Sequence, residues 1–435
     1  MFLHRRGLSL AYQPPSKLRQ AGVTERRTVA PVFFCYCLGM PTNKEKLTGA
    51  VSVWSNSYNA PTGYGQQVTM LVDRLKRADL DVAMLSNYGL EGIPSVIKTP
   101  YGKVPHYPRG LDLYSNDSGP VDHKTFIANK DKPNLFISLY DVWVMKASGY
   151  DDFPIAAWTP LDHVTLPPGV EKFLRKENVT PIAMSPHGVR QLTAKGIECE
   201  YAPHAIDTKT YKPTYKIGPH QVNDYMGLTP DNFVVGVVAA NKASGLVHRK
   251  AYGELILAFS IFAKAHPDAV LYLHTDSVGQ AGGWNLLNIL ASLGVKKEQV
   301  IFPNPHDYRF GLAQSDLAAL YTRMDVLLAP SLGEGFGVPS VEAQACGTRV
   351  IGSNWAATPD LVSPDSWLTD GQLAWDAGQD AWWMTPNVSS LVNALEEAYK
   401  AERGPSQVAI DFASQFDVEK VWTESWMPVL KKLLV

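Results

Sequence analysis

The sequence has few cysteines, no long apolar run and no excess of charge of either sign. Its 435 residues contain 4 cysteines, Cys35, Cys37, Cys199 and Cys346. Their number and scatter exclude a disulfide framework, and no Cys/His spacing reads as a zinc site. A reducing compartment follows, and a cytoplasmic location is expected. No apolar stretch approaches the length of a membrane-spanning helix. The formal net charge is −2, so no global basic field points to nucleic acid. No repeat of solenoid period is visible. Asn116, Asn178 and Asn387 head Asn-x-Ser/Thr triplets, which read as chance matches in a chain with no clear export signal. Asp79-Leu80-Asp81 enters a strand and reads as a turn, not as a metal motif.

What is present is a chain too long for one ordinary core, which implies two domains. Composition is that of a globular protein, 45% hydrophobic and 19% charged. Residues 1–45 stand apart: five arginines (Arg5, Arg6, Arg19, Arg26, Arg27) precede a brief apolar run, Val29 to Leu38. That run is short and late for a signal peptide. The stretch reads as a disordered extension, or as an over-long gene start with translation beginning at Met40.

From Ala50 onward strands and helices alternate. Ala50–Ser55 reads as a strand and Asn59–Gly65 as a glycine loop. Gln66–Ala78 reads as a helix with Val68, Leu71, Val72 and Leu75 on one face, and Asp81–Ser86 as the next strand. This order begins a doubly wound sheet. Ile93–Tyr107, rich in Gly and Pro, reads as a hairpin or a lid. Further strands are expected at 135–139, 155–158 and 180–184, and helices at 122–129, 171–176 and 186–194. A second set starts with the strand Phe233–Ala239 and the helix Lys250–Ala265. It continues with a strand at 270–274, a helix at 284–293, a strand at 300–302 and a helix at 316–323. Late helices are expected at 388–400 and 418–434. Strand–helix alternation demands parallel pairing with crossover helices on both faces.

The richest stretch runs from Asp325 to Gly352. A short apolar strand, Asp325–Ala329, leads into a glycine turn, and a helix follows with Pro339 in its first turn and Gly347 at its end. Free N–H groups and the positive end of the helix dipole make such a start an anion site. Glu334 sits in the loop and Glu342 about one turn inside the helix. The loop glycines are expected to let a ligand approach the backbone. Arg249 and Lys250, at the start of another helix, can neutralise a bound anion. Cations there are mildly unfavourable unless an anion joins them.

The run Glu334-Gly335-Phe336-Gly337-x-Pro339-x-x-Glu342-Ala343-x-Ala345-x-Gly347 resembles the Glu-x7-Glu signature of retaining glycosyltransferases of family 4. Lys250, nine residues before Phe259, matches the family's lysine element ahead of Leu255-Ile256-Leu257-Ala258-Phe259. Pro203 to Pro213 resembles the family's inter-domain crossing, with His204 and Ala205 where an Asn and a Gly are usual.

The resemblance implies the GT-B fold, two Rossmann-like doubly wound domains facing each other across a cleft. The boundaries it gives are an acceptor domain at 46–205, a donor domain at 206–415, and a C-terminal helix at 416–435 crossing back. It implies transfer of a hexose from a UDP- or GDP-sugar to an acceptor hydroxyl with retention of configuration. No metal or other cofactor is expected. Lys250 and Arg249 would meet the diphosphate, Glu334 the donor sugar and Glu342 the ribose. Gly335, Phe336, Gly337 and Val338 would line the donor pocket, with Asn241 and Asn304 at its nucleotide end. Asn241 falls where the family carries an arginine. Gly63, Tyr64 and Gly65 would close on the phosphates and the acceptor. His163 would face the cleft near the donor sugar or serve as a structural histidine. His187 and His204 read as structural or hinge residues. Trp375, Trp382 and Trp383 fit sugar stacking and core packing equally. The acceptor is left open among a glycan, a lipid-linked sugar, a protein and a modified nucleic acid. The alternatives are a nucleotide-sugar 2-epimerase on the same fold and a non-catalytic sugar-nucleotide-binding scaffold.

Overall fold

The computed structural model describes residues 47–435 except 244 and 246. The extension expected at 1–45, with Cys35 and Cys37, lies outside the described residues. Short apolar runs buried on both faces build the first sheet. Its elements in order are β1 (Ala50–Asn56), α1 (Gly63–Arg77), β2 (Asp81–Tyr88), β3 (Ser95–Thr99), β4 (Gly102–Tyr107), α2 (Gly119–Ile127) and β5 (Asn134–Leu139). β6 (Ile155–Thr159), α3 (Pro168–Leu174), β7 (Val179–Ala183), α4 (Pro186–Ala194) and β8 (Glu200–Tyr201) complete it. The strand order is β3-β4-β2-β1-β5-β6-β7-β8. The sequence left 93–107 as hairpin or lid. It is a hairpin, β3 pairing antiparallel with β4 and β4 continuing the sheet beside β2.

α1 shows why the local sequence folds as it does. Thr62 caps it by accepting from the Gly65 N–H at 3.0 Å. Val68, Leu71, Val72 and Leu75 are buried, as their spacing requires. Arg74, Lys76 and Arg77 fill the last turn, where the helix dipole favours cations.

A small antiparallel pair, β9 (Lys216–Ile217) and β10 (His220–Gln221), and a short α5 (Val222–Met226) lead to the second sheet. There follow β11 (Phe233–Val238), α6 (Tyr252–Ala265), β12 (Ala269–His274), α7 (Leu286–Ser292) and β13 (Val300–Ile301). α8 (Pro305–Phe310), α9 (Gln314–Arg323), β14 (Val326–Ala329), α10 (Val338–Ala345), β15 (Arg349–Ser353) and β16 (Trp367–Thr369) come next. All pairings in this sheet are parallel, in the order β13-β12-β11-β14-β15-β16. That is the doubly wound order, with its reversal between β11 and β14. In the first sheet the reversal lies between β1 and β5. Ligands of such sheets bind at the carboxyl ends of the strands flanking the reversal.

Several starts differ from expectation: α1 at Gly63, α2 at Gly119, α3 at Pro168 and α9 at Gln314 begin two or three residues early. α6 begins at Tyr252, not Lys250, because Ala251 adopts a left-handed conformation (φ 53°) that ends the preceding turn. α7 begins at Leu286, two residues after Trp284, with the Asn285 side chain as its cap. Several elements were not foreseen, among them α5, α8, β16, the helix Gln407–Ala413 and a late hairpin. β17 (Gly371–Asp376) and β18 (Ala381–Pro386) form an antiparallel hairpin before α11 (Val388–Lys400) and α12 (Gln407–Ala413).

The chain then returns to the first sheet. α13 (Val418–Val421), a π-helical turn at Trp422–Trp426 and α14 (Met427–Leu433) run on from one another. Glu419 pairs with Arg74 at 2.8 Å and Arg77 at 2.6 Å of α1. Trp426 packs edge-on against Trp158 of β6, centroids 4.8 Å apart. Trp158 meets His204 at 4.6 Å, His204 meets Phe336 at 5.2 Å, and Phe336 meets Phe416 at 5.3 Å. This aromatic series joins both sheets behind the cleft. Truncating its buried centre, Trp158→Ala, costs about 3–5 kcal/mol.

The crossing at 203–213 lies beside the returning segment. The Ile206 N–H donates to the Phe416 carbonyl, and the Val418 N–H to the Ile206 carbonyl, both at 2.9 Å. Ala205 stands where a glycine was expected, and no left-handed backbone is needed there. Gln67 holds it instead, accepting from its N–H at 2.8 Å and donating to its carbonyl at 2.7 Å.

Candidate active site

A pocket of about 450 Å³, open to solvent, lies at the carboxyl ends of β11 and β14, beside the start of α10. Val238, Lys250, Ser331, Glu334, Phe336 and Gly337 are among its lining residues. Gly337 has a φ of 85°, which turns the loop into the helix.

Arg249 and Lys250 sit in the turn before α6 and converge on Glu334. The Lys250 ammonium donates to Oε1, and Arg249 reaches Oε2 at 3.3 Å and the Gly333 carbonyl at 2.8 Å. Burial alone would raise the Glu334 carboxyl; the two cations outweigh it and hold it at about 2. The anion that offsets this basic pair is thus supplied by the chain itself. Burial and the neighbouring Arg249 together lower the Lys250 ammonium.

The first sheet meets this group through the loop after β6. Asp162 lies 3.7 Å from Arg249, and its Oδ1 accepts from His163 Nδ1 at 2.7 Å. His163 Nε2 reaches Asp376 of the β17–β18 hairpin at 3.1 Å. A carboxylate oxygen lies within hydrogen-bond distance of each His163 ring nitrogen, an arrangement that favours the doubly protonated ring. Burial opposes that charge, but Asp162 and Asp376 outweigh it and raise the pKa. The ring also stacks on Trp383, centroids 4.7 Å apart at 18°. His187 Nε2 contacts the His163 carbonyl at 3.0 Å. Asp376, His163, Asp162, Arg249, Glu334 and Lys250 therefore form one connected line in which acidic and basic side chains alternate.

Asp141, just beyond β5, belongs to the same group. Burial and the nearby Asp162 push its carboxyl up to about 6, against Arg249 and His163. Tyr64 is half-buried, and Asp141, Arg249 and Asp162 all act on its hydroxyl. Gly63 is open on its Cβ side, whereas a Cβ on Gly65 would meet the Ala60 carbonyl oxygen at 2.2 Å.

Two loop glycines lie against the other sheet. A Cβ on Gly333 would lie 2.0 Å from the Asp162 carbonyl oxygen, and one on Gly335 would lie 2.6 Å from Pro160 Cβ. Their small size admits that loop to the Glu334 backbone.

Five expected donor residues, Glu342, Asn241, Asn304, Gly335 and Val338, lie apart from the pocket lining. Glu342 is only 4% exposed and its Oε2 accepts from the Tyr321 hydroxyl at 2.9 Å. Burial pushes its carboxyl up to about 7, against that hydroxyl. Asn241 is turned into its own loop. It donates to the Asp276 and Trp284 carbonyls at 2.8 and 2.7 Å, and its Oδ1 contacts His248 at 2.9 Å and the Trp284 N–H at 3.0 Å. Asn304 is exposed and caps α8 by accepting from the His306 N–H at 2.8 Å. Val338 opens α10, half-buried.

Asp141, Asp162 and Asp376 were not singled out from sequence. The first two share a signal with His163: a polar side chain just past the carboxyl end of a buried strand. Asp376 has none, because only the hairpin brings it to the cleft. Asp81 of the Asp-x-Asp pairs with Lys130 at 3.3 Å and Lys132 at 2.9 Å.

Residues 242–400 match the model of the family described as glycosyl transferases group 1. A stretch of 77 residues is 36% identical to the serotype-specific mannosyltransferase WbdA of Escherichia coli, covering 18% of this chain and 9% of that protein. The D-inositol 3-phosphate glycosyltransferase of Paenarthrobacter aurescens is 27% identical over 245 residues, 54% of this chain and 53% of its own length. The chain thus spans from under a tenth to about half of the length of these curated relatives. Sucrose-phosphate synthase of Thermosynechococcus elongatus superposes with a TM-score of 0.68 at 17% identity, covering 88% of this chain and 99% of that one. Anabaena Alr3699/HepE, solved in complex with UDP and glucose, gives 0.60 at 18% identity, over 89% and 100%. Among the described residues no helix is long and apolar enough to cross a membrane. The fold is GT-B, and residues 242–400, which hold Arg249, Lys250, Glu334 and Glu342, carry the pattern of the group 1 glycosyl transferases.

Proposed function

We propose that the chain transfers a hexose from a UDP- or GDP-sugar to an acceptor hydroxyl, with retention of anomeric configuration. The observation that carries this reading is the convergence of Arg249 and Lys250 on Glu334 at the reversal of the second sheet. A diphosphate leaving group needs two nearby cations, and a sugar needs a carboxylate to accept from its hydroxyls. In this structure Glu334 holds the cations in place. When a donor binds, the diphosphate takes over Arg249 and Lys250, and Glu334 turns to the sugar hydroxyls. Arg249 suits bidentate contact with phosphate oxygens.

The bond from the anomeric carbon to the diphosphate oxygen breaks as positive charge builds on the ring. The acceptor oxygen enters on the same face, and its proton passes to the departing diphosphate oxygen. Catalysis is then charge stabilisation on the leaving group together with positioning. The chain's own cations supply that charge, so no metal cofactor is part of the proposal. We assign the ribose to the Glu342 side of α10 and the acceptor to the cleft face of the first sheet, near Tyr64, Asp141 and His163.

The test is a screen of UDP-, GDP- and ADP-sugars for slow hydrolysis and for thermal stabilisation of the chain. The expected result is hydrolysis of one of them, reduced by Lys250→Ala. Release of a 2-epimer would replace transfer with epimerisation. Tight binding with no turnover for any acceptor would leave a scaffold.

A further inference from the structure

We propose that the outer face of the β17–β18 hairpin is a stacking platform for an oligosaccharide acceptor, formed by Trp375 and Trp382. The proposal rests on the transferase reading above and names the class of acceptor.

Trp375 and Trp382 sit directly opposite each other across the two strands. Their ring centroids are 4.9 Å apart and their planes meet at 70°, so the indoles form a right-angled notch. Both are open to solvent, at 51% and 37%, and Leu373 on the same face is 54% exposed. Single exposed apolar side chains are ordinary; a contiguous set in fixed geometry marks a binding surface. The C–H faces of a pyranose ring stack on indoles, while its hydroxyls stay in water or meet polar rims.

The notch is held rigidly. β18 pairs with β17 on one side and with Val164, from the first sheet's loop, on the other. The Val164 N–H donates to the Trp382 carbonyl at 3.1 Å, and the Trp382 N–H to the Val164 carbonyl at 2.8 Å. A ligand therefore meets aromatic surfaces already ordered, which lowers the entropic cost of binding.

The same strands link the notch to the chemistry. Side chains alternate, so the opposite face carries Asp376 and Trp383, which hold His163. The notch and the site thus lie on opposite faces of one two-stranded layer. A single sugar at Glu334 would not extend to the notch; a chain of several sugars would cross the lip of the cleft and stack there.

Charge and area separate this occupant from others. The hairpin's charged residues between 371 and 386 are Asp376 and Asp380, both acidic. An anionic lipid surface calls for basic residues instead. A second copy of the chain needs about 800 Å² from each partner, far more than three side chains offer.

The experiment titrates the intact chain with gluco- and manno-oligosaccharides of one to six residues, by calorimetry and by tryptophan fluorescence. Longer chains are expected to bind more tightly than monosaccharides. Trp375→Ala is expected to weaken the longer ones about tenfold, with Trp375→Phe restoring most of the affinity. Because Trp375 is exposed, the variant is expected to fold, which its melting curve checks. Affinity that is independent of chain length, or unmoved by Trp375→Ala, overturns the platform. So does loss of dimer on gel filtration, or loss of binding to phosphatidylglycerol vesicles, as the substitution's main effect. Nucleotide-sugar hydrolysis by the unsubstituted chain is read separately. Its absence would sink the transferase reading while the saccharide titration still decides the platform.

Discussion

Glu334 and Glu342 belong to one motif, eight residues apart, yet their surroundings shift their carboxyls in opposite directions. Both are largely removed from water. Glu334, in the loop, faces Lys250 and Arg249 and stays ionised down to about pH 2. Glu342, in the helix, faces the Tyr321 hydroxyl and takes up a proton near pH 7. Burial is common to both, so the neighbours decide. An ionised group anchors cations and can hand them to a diphosphate. A carboxyl near its midpoint can donate as well as accept, which suits hydroxyl partners.

The strongest way to break this contrast is to remove a cation. Lys250→Ala should lower turnover about 10²–10³-fold, the loss seen when a transition-state charge partner is deleted. It should also release the Glu334 carboxyl toward ordinary values. Single-turnover rates with a nucleotide sugar check the first effect and a pH titration of stability the second. Unchanged turnover would remove Lys250 from the leaving-group role.

Glu342 gives the next largest effect, through pH. Its folded value of about 7 lies above its usual 4.5. The fold favours the protonated form, so this contribution is full below about pH 4.5 and is lost as pH rises through 7. Its size is on the order of 3 kcal/mol. Glu342→Gln should flatten the fall in stability between pH 5 and 8, measured by urea unfolding. Glu334 has the reverse sign: its contribution is present above 4.5 and lost as pH falls through 2. If Glu342 serves only Tyr321, the Gln variant will bind UDP and GDP like the parent. If it meets the ribose, affinity will drop.

Gly335→Ala tests the contact between the halves. The added methyl would press on Pro160, with a cost of about 1–3 kcal/mol in stability. The smallest expected effect belongs to Asp376→Asn. It should lower the His163 pKa, followed by NMR, because one of the two carboxylates that raise it is gone. Asp162 should still keep the ring oriented. A His163 titration identical in both chains would separate the hairpin from the site.

Much of the fold could be read from the sequence because strand runs such as Phe233–Val238 and helix faces such as that of α1 are decided locally. The Glu334 loop and its basic pair were legible for the same reason, as residue types at fixed spacing. Asp376, Trp383 and the loop at Pro160–Asp162 were not, since their roles arise from contacts across more than a hundred residues. The glycines of the motif show the limit most clearly. Their small size was visible, but what it makes room for was not.

The pairing of Ile206 with the returning strand around Asp417 has a mechanical meaning. A single thread between two bodies permits twist about any direction. Two threads hydrogen-bonded side by side leave essentially one line about which the bodies can swing. Displacement in such a swing grows with distance from that line. Atoms at the Ile206–Asp417 pair would stay nearly still while those farthest from it travel most. The Val164–Trp382 backbone pair is a second tie between the halves, away from that line.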